Sequence, residues 1–203
     1  MAVTVYFDYG SPYAYLAWQR ITHVHADRYR AVEVAWKPVS AGHIFKADHT
    51  APNVTMPNQR RYLLEDVQRW ADAYGVPFAP PPFGTPGEMP VNAIQALRLH
   101  FVAADAGLAG AWMQAVFLGY FRDGLDISDA GVVARLASAV GLPGGVAAAA
   151  APGVKQRLIA NTEEAYAAGA PGVPYTVLDG ENYWGNDRLA WVEARLAGRA
   201  VPA

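Results

Sequence analysis

Strand patterns occur only near the two ends of this 203-residue chain, and that distribution restricts the folds open to it. At residues 3–7 and again at 32–36, apolar side chains alternate with smaller or polar ones, which is the period of a β-strand. Between these stretches, Ser11 and Pro12 suit the N-cap and the first position of a helix. The chain therefore begins as strand, helix and strand, and the crossover predicts that the two strands are parallel.

The middle of the chain, residues 40–170, reads as helices separated by proline and glycine and has no convincing strand pattern. An apolar stripe at 63–74 is typical of an amphipathic helix. The proline-rich stretch 77–84 is unsuited to a helix or a central strand, so a rigid extended loop is expected there. We expect further helices at about 128–140 and 153–168.

The end of the chain returns to strands. Two short strand patterns, at 175–178 and 181–184, are separated by Asp179 and Gly180. This dipeptide tolerates the positive φ angles of a tight turn, so an antiparallel hairpin is predicted. Asn186 is expected to cap a last helix.

Four strands, two parallel and two in a hairpin, are too few for a doubly wound nucleotide-binding domain. No Gly-x-Gly-x-x-Gly motif follows the first strand either. The pattern predicts an α/β fold with a thioredoxin-like, four-stranded mixed sheet and a large all-helical insertion after the second strand. We expect residues 1–39 and 153–203 to form the sheet domain and residues 40–152 to form the helical insertion.

Composition excludes several classes of function. The chain has no cysteine, which excludes disulfide oxidoreductase chemistry and thiolate metal sites, and its histidines lack metal-ligand spacing with carboxylates. With 16 basic and 18 acidic residues there is no basic field for nucleic acid or an anionic membrane surface. The first residues lack the basic start of a secretory signal, and no apolar stretch suits a membrane span, so we expect a cytoplasmic location.

Three turns at the edge of the predicted sheet carry the residues most suited to ligand binding. Ser11 lies where open α/β sheets bind ligands and where a helix N-terminus favours negative charge, although a plain N-cap is the alternative. A serine hydrolase is disfavoured, because no Gly-x-Ser-x-Gly elbow surrounds Ser11. Cis X-Pro bonds are uncommon, so on the residues alone we expect a trans bond between Val173 and Pro174. The junction at 184–188 provides either outward amides for an anion or another plain cap.

Three motifs at these turns occur in the order found in a known family. They are FDYGSPYAY at residues 7–15, GVP at 172–174 and WGNDRL at 184–189. They resemble the serine-containing amino-terminal signature, the cis-proline loop and the tryptophan-glycine-x-aspartate-arginine-leucine element of 2-hydroxychromene-2-carboxylate isomerases and kappa-class glutathione transferases. The resemblance spans nearly the whole chain, with further matches at Lys37-Pro38, Ile44-Phe45-Lys46-Ala47 and Arg61-Tyr62-Leu63.

The resemblance implies a glutathione site on the thioredoxin-like face. Ser11 would donate a hydrogen bond to the glutathione sulfur and favour the thiolate, which is the reactive species. The backbone of Val173, ahead of Pro174, would pair with the cysteinyl part. The γ-glutamyl end would lie against Trp184, Gly185, Asn186 and Asp187.

The resemblance also implies an isomerase reaction. The thiolate would add to an unsaturated carbon, and rotation and elimination of glutathione would interconvert 2-hydroxychromene-2-carboxylate and trans-o-hydroxybenzylidenepyruvate, or a related aromatic acid. Lys37 and Lys46 are candidates for holding the substrate carboxylate, with solvated surface lysines as the alternative. Where the family has an asparagine after this lysine, the chain has Thr50, and Asn53 lies three residues further on. This departure concerns the identity of the substrate.

Two other functions remain open on the sequence. A kappa-like glutathione transferase would use the same site but release a conjugate. A non-catalytic thioredoxin-fold binding module would catalyse no reaction, so Ser11→Ala would change no turnover. By the same resemblance, the protein would act on a small aromatic substrate as a homodimer.

Overall fold

The computed structural model describes residues 2–200. The first strand, β1 (Ala2–Phe7), leads through a tight turn into α1 (Pro12–Gln19), which continues as one π-helical turn (Arg20–Val24). After α2 (Ala26–Tyr29), the chain enters β2 (Glu33–Pro38). The predicted opening of strand, helix and strand is confirmed, with the helical segment broken by the π-helical turn.

The middle of the chain is helical, as the alternation of apolar stripes with proline and glycine predicts. The predicted stripe at 63–74 lies in a helix that ends at Gly75, whose φ of +66° is the left-handed conformation common just after helices. Residues 76–82 form neither helix nor strand, in agreement with the expected loop. The helices are α3 (Ala41–Ala47), α4 (Pro57–Tyr74), α5 (Ile94–Asp105), α6 (Ala109–Phe121), α7 (Ala130–Val140) and α8 (Pro152–Ala167), with short 3-10 turns at Asn53–Thr55 and Gly145–Ala150.

The sheet has the strand order β2-β1-β3-β4, where β3 is Tyr175–Leu178 and β4 is Glu181–Trp184. The β1 strand pairs in parallel with β2, and β3 pairs antiparallel with both β1 and β4. The mixed four-stranded sheet and the hairpin are therefore as predicted. The division of the chain into two domains stays a prediction.

The start of the last helix differs from the prediction. Helix α9 (Leu189–Leu196) begins after Arg188, and the side chain of Asn186 does not cap it. The Asn186 carbonyl accepts the Leu189 amide at 3.2 Å, but its side chain is buried against Tyr74. The expected cap was wrong because a partner 112 positions away in the chain binds the amide group instead.

The main core lies between the sheet and the helical block. Phe7 and Tyr9, at the end of β1, pack against Phe117 of α6, with ring centroids 5.9 and 4.9 Å apart. Trp112 is fully buried in the same cluster and donates its indole N–H to the Ala96 carbonyl at 3.0 Å. The helical block therefore covers the face of the sheet next to the carboxyl end of β1, where Ser11 follows.

Candidate functional site

A cavity of about 900 Å³ opens where the turn after β1, the segment before β3 and the turn after β4 face α3 and α4. Its size is typical of small-molecule sites. The cavity brings together residues that are more than 160 positions apart in the chain. The predicted site residues that line it are Ser11, Thr50, Asn53, Val173, Trp184, Gly185, Asn186 and Asp187.

Ser11 caps a helix and also faces the cavity. Its Oγ accepts a hydrogen bond from the Ala14 amide at 3.2 Å, which satisfies one of the free N–H groups at the start of α1. The same hydroxyl donates to the Val173 carbonyl at 3.2 Å. The N-cap interpretation is therefore confirmed, and Ser11 also lines the cavity, while its role in ligand binding stays a prediction.

The segment before β3 carries a cis peptide bond between Val173 and Pro174. The trans bond expected from the residues alone was wrong, because the small intrinsic preference of X-Pro bonds leaves the choice to the surrounding structure. The cis-proline loop implied by the resemblance is present. Within the described residues 2–200, the Val173 amide donates no hydrogen bond to another backbone group. Pro174 does not line the cavity, but its carbonyl accepts the Gly185 amide at 3.0 Å.

The turn after β4 has a conformation that needs glycine. Gly185 has a φ of +103°, and a Cβ at this position would lie 2.6 Å from Asp187 Oδ1. The neighbouring Trp184 is 55% exposed, whereas Asn186 is 1% exposed. Asp187 pairs with Arg188 at 3.1 Å. The turn therefore presents an aromatic ring, a buried amide and a charge pair to one side of the cavity.

Three carboxylates in the cavity wall, those of Asp8, Asp48 and Asp66, were missed by sequence reasoning. Asp8 accepts hydrogen bonds from the amides of Gly10 at 2.9 Å and Ala41 at 3.0 Å, and so ties the turn before α1 to the start of α3. Burial raises the pKa of the Asp8 carboxyl, and these two amides oppose the rise. On α4, Asp66 accepts the Tyr13 hydroxyl at 2.9 Å. Asp8 is part of the motif FDYGSPYAY at residues 7–15, so the sequence contained a signal that could have identified it as a site residue. Asp66 borders the apolar stripe of α4, but the sequence does not show which elements that side of the helix meets.

The two predicted lysines lie outside the cavity. Lys37 Nζ pairs with Glu164 of α8 at 2.6 Å and lies 5.8 Å from the Tyr6 ring centroid. Successive side chains of a strand point to opposite faces, and Trp36 occupies the face toward the main core, so Lys37 points away from it. Lys46 is exposed on α3 and does not line the cavity.

The charges along the cavity wall are mostly negative. Among the described residues that line the cavity, Arg188 is the one lysine or arginine, against the carboxylates of Asp8, Asp48, Asp66 and Asp187. In the described part of the chain no group of histidines and carboxylates is arranged to hold a metal ion. No helix within residues 2–200 combines the length and apolarity of a membrane span.

A mixed sheet, a helix that starts at a cavity-facing serine and a cis-proline loop beside that serine define a protein of the thioredoxin fold. The chain belongs to the DSBA-like thioredoxin domain family, whose model matches residues 2–197.

The chain is similar along nearly its whole length to isomerases. A 2-hydroxychromene-2-carboxylate isomerase from Pseudomonas putida is 27% identical over 203 residues, covering 97% of this chain and 94% of the relative. Two further curated relatives bear the same name. The solved structure of a 2-hydroxychromene-2-carboxylate isomerase aligns with a TM-score of 0.85 at 24% identity, covering 98% of this chain and 95% of that one. Together the curated relatives support an isomerase.

A more distant structure shares only the fold. The cytosolic disulfide reductase DsbM from Pseudomonas aeruginosa, solved with GSH, aligns with a TM-score of 0.65 at 17% identity. The alignment covers 97% of this chain and 100% of that one.

Proposed function

We propose that the protein is a glutathione-dependent isomerase that interconverts 2-hydroxychromene-2-carboxylate and trans-o-hydroxybenzylidenepyruvate, or a related aromatic acid. The observation that carries the proposal is the Ser11 hydroxyl, which faces a ligand-sized cavity beside the Val173 carbonyl in a chain whose curated relatives are isomerases. The chain has no cysteine, so the sulfur would arrive with glutathione.

Ser11 would favour the thiolate form of the bound glutathione. The hydroxyl proton, which Ser11 donates to Val173, would turn to the sulfur when the ligand is present. A hydrogen bond to a charged group contributes about 1.5–3 kcal/mol, and the N-terminus of α1 adds a favourable dipole. Both effects lower the pKa of a thiol and raise the fraction of thiolate.

The rest of the tripeptide fits the other groups of the cavity wall. The Val173 amide would pair with the cysteinyl backbone of glutathione. The carboxylates of Asp66 and Asp187 suit the γ-glutamyl ammonium, and charge-assisted hydrogen bonds of this kind are strong. The support for a GSH site in this fold is the GSH in the structure of DsbM.

The reaction would need no net oxidation or reduction. Ring opening would break the hemiketal carbon–oxygen bond of the chromene, with the hydroxyl proton passing to the phenol oxygen as the ketone forms. The thiolate would then add to the unsaturated carbon, and the electron pair of the carbon–carbon double bond would move to the ketone as an enolate. The double bond thereby becomes a single bond about which the substrate rotates. Elimination then breaks the carbon–sulfur bond, restores the double bond and returns the thiolate. Thr50 and Asn53 would provide neutral hydrogen-bond donors to the substrate from the cavity wall.

A kappa-like glutathione transferase is the second candidate. The observation that favours it is the position of Lys37 and Lys46 outside the cavity, which leaves an acidic substrate without the lysine that the resemblance implies. A transferase would consume glutathione in proportion to product, whereas an isomerase would return it. Product analysis with 2-hydroxychromene-2-carboxylate therefore separates the two functions. A homodimer stays a prediction.

Calorimetric titration with reduced glutathione tests the proposal. We expect saturable binding to the wild type, and binding about 10- to 100-fold weaker for Ser11→Ala, because one hydrogen bond to a thiolate is lost. S-methylglutathione, which has no ionisable thiol, should bind both proteins equally weakly. Asp129→Ala is the matched control, since it removes the N-cap of α7 at a residue that does not line the cavity, and should leave glutathione binding unchanged.

Each alternative has its own outcome. No binding at millimolar glutathione would contradict both enzyme functions and favour the non-catalytic binding module. Equal loss of binding in Ser11→Ala and Asp129→Ala would mean that the Ser11 effect is one of stability.

A further inference from the structure

Asn186 is a buried amide in the cavity wall whose orientation depends on a residue outside the cavity. Its Nδ2 donates to the Tyr74 hydroxyl at 3.1 Å, and its Oδ1 accepts from the same hydroxyl at 3.3 Å. Tyr74 lies at the end of α4 and does not line the cavity. Because a buried amide needs hydrogen-bond partners, the Tyr74 hydroxyl determines how the Asn186 side chain is held.

The Tyr74 hydroxyl is held in turn by Arg20, in the π-helical turn after α1. Arg20 Nη1 donates to the hydroxyl at 2.9 Å. A guanidinium has donors and no acceptor, so the hydroxyl proton must point elsewhere, toward Asn186 Oδ1. The hydroxyl thus lies within hydrogen-bond distance of both amide atoms of Asn186, 3.1 Å from Nδ2 and 3.3 Å from Oδ1. At least one N–H and one lone pair of the Asn186 amide are not used by the Tyr74 hydroxyl.

Arg20 is itself held by a buried carboxylate. Arg20 Nε and Nη2 donate to the two oxygens of Glu193 at 2.6 and 2.9 Å, a bidentate pair with fixed geometry. Glu193 lies on α9, the helix that directly follows the turn carrying Asn186. The connection therefore runs from α9 through the π-helical turn and α4 back to the cavity. π-Helical turns occur often at functional sites.

We propose that Tyr74 and Arg20 are positioning residues for the γ-glutamyl end of glutathione, acting through Asn186. This inference rests on the proposed function, which puts that end of the ligand at residues 184–187. The sulfur end lies at Ser11, on a different turn. Loss of the Tyr74 hydroxyl therefore weakens ligand binding without changing the reactivity of the thiolate.

The test is Tyr74→Phe, which removes the hydroxyl and keeps the ring. We expect the KM and Kd for glutathione to rise about 3- to 10-fold, the range of one hydrogen bond, with kcat and the pKa of the bound thiol unchanged. Tyr120→Phe is the control, because it also removes one hydroxyl hydrogen bond and keeps the ring. Tyr120 is buried, its hydroxyl donates to the Gly87 carbonyl at 3.0 Å, and neither residue lines the cavity. The control should keep the KM of the wild type.

A truncated ligand separates positioning from general stability. Cysteinylglycine lacks the γ-glutamyl group, so Tyr74→Phe and the wild type should bind it equally. A loss of cysteinylglycine binding as large as the loss of glutathione binding would overturn the positioning role. Unchanged glutathione binding in Tyr74→Phe would overturn it as well. If the wild type binds no glutathione, the proposed function and this inference fall together.

A double-mutant cycle gives a second line of test. Asn186→Ala removes both the contact with Tyr74 and the amide's own contact with the ligand, so it should raise the KM by at least as large a factor; it keeps the test available if Tyr74→Phe does not fold. Adding Tyr74→Phe to Asn186→Ala should have no further effect, because the two residues act through one contact. Additive effects would contradict the proposal.

Discussion

His100 is a buried imidazole in the main core, directly behind the turn that carries Ser11. Its Nδ1 lies 3.0 Å from the Tyr9 hydroxyl, and its ring packs edge-on against Phe7 with centroids 5.2 Å apart. Burial lowers the pKa of His100 to about 4, which keeps the imidazole neutral at neutral pH. Protonation of this one side chain therefore makes the stability of the core near the site depend on pH.

We expect the protein to lose about 3 kcal/mol of stability through His100 as the pH falls from 6.5 to 4. The unfolded chain binds the proton first, since its imidazole has the higher pKa, so the loss begins near pH 6.5 and is complete below the folded pKa. Urea unfolding across this range measures it. His100→Gln should reduce the change of the free energy of unfolding with pH, whereas His49→Gln, at an exposed position, should leave that change as it is in the wild type. Equal slopes in both variants would contradict the prediction.

The turn between β4 and α9 is an element whose backbone depends on one glycine. Gly185 and Gly180 both have positive φ, at +103° and +81°. They differ in their surroundings. A Cβ at Gly185 would collide with the Asp187 carboxylate, whereas nothing lies within 4 Å of a Cβ at Gly180 in the hairpin turn. The two positions therefore separate backbone strain from disruption of the site.

Gly185→Ala and Gly180→Ala should each cost about 1–2 kcal/mol of stability, because alanine in a left-handed conformation is strained. Only Gly185→Ala should weaken glutathione binding, by about 10-fold or more, since Asp187 must move. Thermal unfolding and calorimetric titration of both variants measure the two effects. Unchanged affinity in Gly185→Ala would show that the turn does not contact the ligand.

At the scale of the whole molecule, Glu193 joins the two ends of the chain. Its carboxylate accepts hydrogen bonds from Arg20, from His25 at 2.9 Å and from Arg28. Burial alone would raise the pKa of Glu193, but hydrogen bonds from Arg20 and His25 hold it below its usual value. The carboxylate is therefore charged in the interior and depends on its partners.

Glu193→Gln should destabilise the protein by about 3–5 kcal/mol, because it leaves the buried guanidinium of Arg20 without its counter-charge. Asp105→Asn, which removes an exposed pair with Arg157, should cost less than about 1 kcal/mol. Urea unfolding at neutral pH compares the two variants. A similar loss in both would mean that the buried cluster contributes no more than a surface pair.

Local patterns in the sequence determined most of the elements. Alternation located β1 and β2, the Asp179-Gly180 dipeptide located the hairpin, and Ser11 located the start of α1. These features follow from backbone preferences and side-chain periodicity, which act over a few residues. The same locality explains why the serine at the cavity could be found from the sequence.

Only the tertiary structure decided how distant residues meet. The peptide bond before Pro174 is cis, and the side chain of Asn186 binds the Tyr74 hydroxyl instead of capping α9. Lys37 pairs with Glu164 on the face of the sheet that points away from the main core. Each outcome depends on a neighbour far away in the chain, and the sequence encodes such a neighbour only through the packing of the whole fold. The strands, the helices and the serine that caps α1 are local properties, whereas the composition of the cavity wall is a property of the packed molecule.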